Sequence, residues 1–552
     1  MRKQFSRTAA LVLVGAIAAG ALTGCGNGGK SNSGQTQAVS TETGSTDAGT
    51  SETTASVSED AGLHNLEDGV LDIGTGITWD TLTPLRSNIG NNAPFAMAAY
   101  ETLARLTENK EYVPQVAKSW VAEEDGKNFD VEIYDYVTDS AGNAITASDI
   151  VWMIKLQQEA ALKPAFAKVE SVEQTGDYTL RITMKKDMVG AFEAILTNTF
   201  VVSQKAYEES KDQFATEIIS TSPYKVTEFV SGSVLSFEKR DDYWQKPELI
   251  PEETAANVDK LSFHVIKEAS QAGIALETGD IDAFVQLDQN TAVQFVDNPA
   301  FSMEANSYIN GYQLYFSGGD NRNIATDENL RKAICYAIDT DGLIKGVFAG
   351  YGKSMHDPIA DTSVGYLEKW KDEEYYPYDV EKAKELIGQS NYKGEELEFL
   401  ATSSSTIQRV CQMIQGYLLQ VGINVKLNLV DQALYTATRL DGTQYDMTIN
   451  TVGGETLPDH WSIRYDYQAY KTGDATARHD EALGELLYKT WTKEGFTEEN
   501  IDEVHNYLKD HMYAYGMVQP ENIDVWRTDL GITKTVHTNK GSIDFTSCQY
   551  QE

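Results

Sequence analysis

Residues 397–429 read LEFLATSSSTIQRVCQMIQGYLLQVGINVKLNL and contain the hydrophobic periods of both a strand and a helix. Strand-like alternation opens the stretch at Leu397, Phe399 and Ala401, and it returns from Ile423 to Leu429. The intervening apolar residues share one helical face, which a glycine closes: Ile407, Val410, Cys411, Ile414, Leu418 and Val421, with Gly422 at the C-cap. A strand, helix, strand unit of this kind predicts parallel strands covered by helices, and therefore an α/β fold.

Helix signals of the same quality occur elsewhere in the chain. Thr146 followed by Asp149 predicts one helix start, and Asp379 predicts another. The folded part has about 490 residues, which is enough for two or three lobes.

The first 25 residues have the pattern of an export signal. Its basic end, apolar run and final part are Arg2 with Lys3 and Arg7, Ala9 to Ala21, and Leu22 to Cys25. The pattern resembles the lipobox of bacterial lipoproteins, which implies that residues 1–24 are removed and that Cys25 is lipidated. A plain secretory signal and a membrane-spanning anchor are the alternatives, but the apolar run is short for a bilayer span.

Residues 25–65 are predicted to form the lipidated end and a flexible tether. Glycine, small polar residues and acidic residues dominate most of this segment. Because it has few large apolar side chains, burial cannot offset the entropy cost of ordering it.

The charge and the cysteines exclude several classes of protein. The chain has 45 basic and 83 acidic residues and a net charge of -38, so nucleic acid and anionic lipid are not expected as partners. Cys335, Cys411 and Cys548 are widely separated and fit neither a disulfide framework nor a zinc site. We interpret Cys335 and Cys411 as small buried hydrophobic residues.

Residue strings distributed through the folded part occur together in one order. They are Tyr100 to Leu103, Val113 to Trp120, Asp125 to Lys127, Asp139 to Gly142, Ile145 to Val151, Thr221 to Val226, Arg240 to Trp244, Leu276 to Asp282, Leu330 to Asp339 and Tyr378 to Ala383. In this order they resemble the family 5 extracellular solute-binding proteins of ABC transporters, the group that contains oligopeptide- and dipeptide-binding proteins. Each string alone is a weak signal, and their shared order after a lipobox carries the resemblance.

The resemblance implies an α/β fold of the periplasmic-binding-protein type II class. Two hinged lobes would enclose the ligand, and an extra domain would be inserted in the first lobe. The implied boundaries are 66–92, 200–303 and 519–552 for a discontinuous lobe I, 93–199 for the inserted domain and 304–518 for lobe II.

The resemblance also implies partners and a location. Ligand contacts with both lobes would stabilise a closed form that docks on a permease. The permease and the ATPase would be other chains. No apolar segment after the export signal is long enough to span a bilayer, and the one string with phosphate-loop spacing, Gly24 to Ser31, lies in the lipobox and tether rather than between a strand and a helix. No cofactor and no metal are implied, and a monomer is expected. The protein would sit on the outer face of the cytoplasmic membrane, or in the periplasm of a diderm cell, attached through its lipid only.

The segment from Thr451 to Asp459 bears most directly on the ligand. Peptide-binding relatives commonly have an aspartate here that pairs with the amine of the peptide, a charge-assisted contact. Alignment on Pro458 places Gly454 at that position. The missing carboxylate is therefore supplied by a neighbour, or the ligand has no amine.

Two nearby carboxylates could replace the aspartate. Glu455 follows Gly454 directly, and Asp459 comes four residues later. Together with Trp461 and Arg464, and with Thr451 before them, they would make a polar and aromatic cleft wall. The alternative is that these are ordinary surface-loop residues.

Three further residues are placed near the cleft by analogy. Asn310 and Tyr312 follow a predicted crossing segment and would bind amide groups or sugar hydroxyls. Trp79 would lie at the end of an early strand, although a core position is the common fate of a lone tryptophan there.

Short peptides are the expected ligand, with an oligosaccharide, another small polar solute or a metal complex as alternatives. A hydrolase and a non-transport surface sensor are the rival classes. No nucleophile elbow and no zinc-binding His-Glu-x-x-His string occurs in the sequence, so we predict no catalytic residues. His505 and His511 are predicted to be exposed on a helix, since a spacing of six does not put them on one face.

Overall fold

The computed structural model describes residues 61–79, 81–85, 95, 98–107, 110–307, 311–319, 321–452, 456–466, 480–538 and 541–551. Its strands are β1 Leu71–Thr75, β2 Ala104–Leu106, β3 Tyr112–Pro114, β4 Ala117–Ala122, β5 Asn128–Ile133, β6 Val169–Gly176, β7 Thr179–Met184, β8 Tyr224–Val230, β9 Val234–Lys239, β10 Lys260–Val265, β11 Ala283–Leu287, β12 Phe301–Ser307, β13 Gly311–Phe316, β14 Gly352–Ser354, β15 Leu397–Thr402, β16 Val425–Val430, β17 Met447–Val452, β18 Ala514–Arg527, β19 Ile532–Lys534 and β20 Gln549–Tyr550.

The helices of the same residues are α1 Ala147–Ala160, α2 Ala191–Asn198, α3 Gln204–Glu209, α4 Ala269–Thr278, α5 Gln289–Ala292, α6 Asn323–Thr326, α7 Glu328–Ala337, α8 Thr340–Val347, α9 Val380–Gln389, α10 Ser405–Gln420, α11 Gln432–Arg439, α12 Leu457–Arg464, α13 Glu481–Lys489 and α14 Glu498–His511. Within the described ranges no helix is both long and apolar enough to cross a bilayer.

One long strand, β18, joins two halves of a large sheet. The sheet has the order β16-β15-β17-β13-β18-β11-β1-β10-β9-β8, and β12 and β14 also pair with β18. The first part of β18 pairs with β13 and β14, and the part from Glu521 onward pairs with β12 and β11. We call the half with β13 to β17 lobe II and the half with β1 and β8 to β12 lobe I.

The mixed α/β prediction is confirmed by the unit that suggested it. Strands β15 and β16 are parallel, with Leu397 opposite Val425, and α10 connects them. The buried residues of α10 are Val410, Cys411, Ile414 and Leu418. Gly422 follows the helix with φ of +85°, a conformation that glycine adopts without strain.

A second sheet lies in the chain between β1 and β8. Its order is β4-β5-β7-β6, with every neighbouring pair antiparallel. The sheet, α1 and α2 share a hydrophobic core of their own, in which Phe166, Phe192 and Ile150 are buried. We call this sheet, the separate β2-β3 pair, α1 and α2 together the four-stranded unit, after its main sheet. The domain boundaries stay predictions, and two of them fall inside the connecting strands β12 and β18.

The predicted helix starts are confirmed by their caps. Thr146 and Asp149 form a reciprocal capping box at the start of α1. The Asp379 side chain accepts a hydrogen bond from the backbone N–H of Lys382 at the start of α9. All three cysteines in the described ranges, Cys335, Cys411 and Cys548, are buried and free of disulfides, as interpreted for the first two.

Two adjacent leucines of α10 give a direct test of the core. Leu418 is fully buried in the lobe II core, whereas Leu419 is 63% exposed. We expect Leu418→Ala to lower the free energy of unfolding by about 3 kcal/mol, because it leaves a cavity among packed side chains. Leu419→Ala is the matched control and should change it by less than about 0.5 kcal/mol. Urea unfolding measures both, and equal losses would contradict the assignment of this helix face.

Asp524 is a buried carboxyl group on the shared strand β18. It accepts hydrogen bonds from the backbone N–H of Gln286 at 2.8 Å and of Ile543 at 2.6 Å. Burial raises its pKa to about 7, and the two N–H donors and the nearby His537 oppose that rise. Glu304, which pairs with His537 at 2.8 Å, adds negative charge beside it.

We expect stability to depend on the ionisation of Asp524. Its native pKa lies above the value of about 3.9 for an unfolded aspartate, so its contribution is complete below about pH 4 and is lost as the pH rises toward 7. In the unsubstituted protein the free energy of unfolding should fall by on the order of 2–4 kcal/mol across this interval, and Asp524→Asn should remove that fall. Urea unfolding from pH 4.5 to 7.5 measures it, with Asp241→Asn, an exposed position, as the control. An unchanged slope in Asp524→Asn would refute the assignment.

Candidate functional site

The two lobes touch beside the strands that connect them. The Asn290 side chain of lobe I donates a hydrogen bond to the Val347 carbonyl of lobe II at 3.1 Å. Asp288 and Arg409 form an ion pair across the same boundary at 3.5 Å. The lobes are therefore in direct contact beside these strands.

The four-stranded unit contacts lobe II independently. Lys110 Nζ donates to the Asp361 carbonyl at 2.9 Å, and the backbone N–H of Val189 donates to the Trp491 carbonyl at 2.7 Å. Lobe II therefore contacts both lobe I and the four-stranded unit.

Helix α12 carries several of the predicted site residues. Thr456 precedes it with extended backbone, and Pro458 and Asp459 occupy its first turn, where their residue types favour a helix start. The Asp459 carboxylate forms an ion pair with Lys168 of the four-stranded unit. The charge of Asp459 is therefore already balanced by a residue of another part of the protein.

Trp461 and Arg464 both adjoin a buried aromatic group. Trp461 is fully buried in a hydrophobic cluster that includes Tyr315 and Trp370. The Arg464 guanidinium lies 5.5 Å from the centre of the Tyr315 ring. Both residues therefore adjoin the core of lobe II, and their role in ligand binding stays a prediction.

The structure brings Thr451 and Tyr312 together but places Trp79 elsewhere. Thr451 on β17 is the direct cross-strand partner of Tyr312 on β13, and both are half-buried. Trp79 is buried in the lobe I core, where its ring centre lies 4.3 Å from that of Phe95. Gly454, Glu455, Asn310 and Cys25 lie outside the described residues.

The prediction that His505 is exposed is wrong. Its side chain is fully buried, and its Nδ1 makes a close contact with the Asp357 carboxylate. The Trp370 ring stacks on the imidazole with ring centres 4.2 Å apart, and Glu373 lies 3.4 Å from Nε2. Burial raises the pKa of Asp357, and the adjacent histidine opposes that rise. His511, by contrast, has a 38% exposed side chain.

The His505 and Asp357 pair does not form an accessible catalytic site. A general base must come within hydrogen-bond reach of its substrate, and both side chains have no exposed surface. Among the described residues, no group of three or more His, Cys, Asp and Glu side chains could hold a metal ion.

Sequence reasoning missed Lys168 and Gln313. Lys168 ends a short 3-10 helix, Pro164–Lys168, and nothing in its neighbourhood indicates a partner far along the chain. Gln313 is fully buried on β13, where its Oε1 accepts a hydrogen bond from the Tyr315 hydroxyl. In the sequence, the signal for this position is a single glutamine among the apolar and aromatic residues of Tyr312 to Phe316.

A sheet divided between two lobes by a shared strand, with an extra unit closing on one lobe, defines a two-lobed binding protein of the type II class. The family model for bacterial extracellular solute-binding proteins, family 5, matches residues 111–474, and the chain belongs to this family. It is therefore an extracytoplasmic solute-binding protein of an ABC importer. Members of the family are binding proteins rather than enzymes.

Three proteins illustrate the similarity. The glutathione-binding protein GsiB of Pectobacterium atrosepticum is 24% identical over 374 residues, which cover 65% of this chain and 69% of GsiB. DppA of Helicobacter pylori, solved with the peptide STSA, superposes with a TM-score of 0.72 at 20% identity, covering 88% of this chain and 98% of DppA. AgaA of A. tumefaciens R10, solved with agropinic acid, has a TM-score of 0.70 at 21% identity and coverages of 88% and 99%.

Proposed function

We propose that this protein captures short peptides between its two lobes and delivers them to the permease of an ABC importer from a lipid anchor at Cys25. The peptide assignment is supported by GsiB and DppA, whose names and bound ligand are peptidic. The permease and the ATPase are separate chains in this proposal, and the protein acts as a monomer.

The ion pair of Asp459 favours Glu455 as the amine-binding carboxylate. Asp459 already pairs with Lys168, so a ligand amine would have to displace an internal cation to use it. Glu455 stands beside Gly454, which occupies the aligned position of the aspartate in peptide-binding relatives. A charge-assisted contact from Glu455 would fix the orientation of the peptide.

A ligand without an amine is the second candidate. Gly454 removes the aligned carboxylate, and AgaA shares the fold with agropinic acid bound. A small polar solute of that kind would need no carboxylate at this wall.

Native mass spectrometry of the purified full-length protein tests the ligand class. We expect a series of peptide masses to be released on denaturation. A single non-peptide mass would refute the peptide proposal and favour the second candidate.

Affinity for trialanine and for its N-acetylated form tests the amine contact. We expect Glu455→Gln to weaken binding of trialanine by about 10- to 100-fold, the range for a lost hydrogen bond to a charged group, with little change for the acetylated form. Asp459→Asn is the matched control and should leave the ratio of the two affinities unchanged. The opposite pattern would move the amine contact to Asp459.

The lipid anchor has a separate test. In a bacterial host with lipoprotein processing, the protein should take up a labelled fatty acid and sediment with membranes. Cys25→Ala should lose both properties, because attachment depends on acyl chains at that thiol. Membrane association that persists in Cys25→Ala would show another mode of attachment.

A further inference from the structure

The four-stranded unit contacts lobe II through a group of polar, charged and backbone contacts. We call this group the latch. Its residues on the four-stranded unit are Lys110, Lys168, Lys186, Val189 and Gly190, and its residues on lobe II are Asp361, Thr456, Asp459 and Trp491.

The central contact of the latch is the ion pair of Lys168 with Asp459. The two side chains are only 23% and 10% exposed, so salt screens their attraction less than that of a surface pair. Lys168 is the last residue of its 3-10 helix, and Asp459 lies in the first turn of α12. At these positions each charge also interacts favourably with the partial charge of its own helix end.

Backbone and ring contacts surround the ion pair. Val189 donates its N–H to the Trp491 carbonyl at 2.7 Å, and Lys186 Nζ lies 4.3 Å from the centre of the Trp491 ring. Gly190 has φ of +85°, and a Cβ atom there would lie 2.4 Å from Cβ of Thr456. The approach of the two surfaces therefore depends on a glycine at position 190.

The same boundary also contains a repulsive pair. Burial raises the pKa of Asp187, and the negative charge of Glu494 across the boundary raises it further. In a chain with a net charge of -38, the three lysines of the latch offset an average repulsion between its parts.

We infer that the latch centred on Lys168 and Asp459 sets the equilibrium between closed and open forms, and thereby tunes ligand retention without contacting the ligand. The inference rests on the proposed function for its effect on ligand, although the equilibrium itself exists without any ligand. A contact made only in the closed form shifts the population toward that form by its own free energy. Loss of the contact should therefore favour opening and release.

Distances between two spin labels measure this equilibrium in the ligand-free protein. Val121→Cys on the four-stranded unit and Leu419→Cys on lobe II supply exposed sites, at 65% and 63% exposure. Cys335, Cys411 and Cys548 are buried, and burial raises the pKa of Cys411 to about 12, so these thiols react slowly. Cys25→Ala removes the remaining cysteine.

The labelled full-length protein should give one dominant short distance. We expect Lys168→Met and Asp459→Asn each to add a longer distance, and the double variant to add no more than either single variant. The charge exchange Lys168→Asp with Asp459→Lys should restore the short distance. Lys118→Met and Glu132→Gln are the matched controls, since this exposed pair lies at 2.6 Å inside the four-stranded unit. Unchanged distances in both single variants would overturn the inference.

A pair of glycines gives an independent steric test. Gly190→Ala should open the protein, because the added methyl group collides with Thr456. Gly142→Ala is the matched control, since Gly142 has a similar φ of +78° but nothing within 4 Å of its Cβ position. Equal distances in the two variants would contradict the role of Gly190.

Release of trialanine connects the latch with transport. We expect Lys168→Met to speed dissociation by about threefold to tenfold, because loss of the ion pair favours the open form, from which the ligand leaves. If trialanine does not bind but the distances change, the peptide proposal fails and the latch stands. If trialanine binds and the distances do not change, the latch is refuted and the proposed function stands.

Discussion

The continuity of strand β18 is the constraint on which the rest of the structure depends. This strand, residues 514–527, pairs in antiparallel orientation with β13 in lobe II and with β11 and β12 in lobe I. Near the change of partners stands Pro520, which has no backbone N–H to donate to a ladder, and the pairing with β13 shifts register at Tyr312. The two halves of the sheet therefore share one continuous strand, which holds the lobes together.

The sequence predicts the individual helices and strands well, because hydrophobic periodicity and helix caps depend on residues close together in the chain. The strand, helix and strand of residues 397–429 and the cap at Thr146 follow from residues within a few positions of each other. His505 was wrongly predicted to be exposed since its partner Asp357 is 148 residues away and converts a polar side chain into a buried pair. The role of Lys168 is not predictable for the same reason, because no local pattern links it to Asp459.

In the candidate site, too, the local segment is predictable from the sequence and the contact between distant residues is not. The segment after β17 was recognised from its resemblance and its departure at Gly454, which are properties of the sequence alone. What the sequence did not contain was the occupation of Asp459 by an internal lysine. A carboxylate near a predicted cleft is a poor indicator of ligand charge until its neighbours are known, because a protein cation can balance it first.

The position of β18 near the end of the chain also governs the order of folding. During synthesis from the N-terminus, β11 to β17 are made before residue 514, and until then β11 and β13 lack their shared neighbour. The sheet of β4, β5, β7 and β6 depends on pairings within residues 117–184 and is made much earlier. Until β18 is made, both lobes keep an unpaired strand edge, and an edge of this kind can pair with another chain.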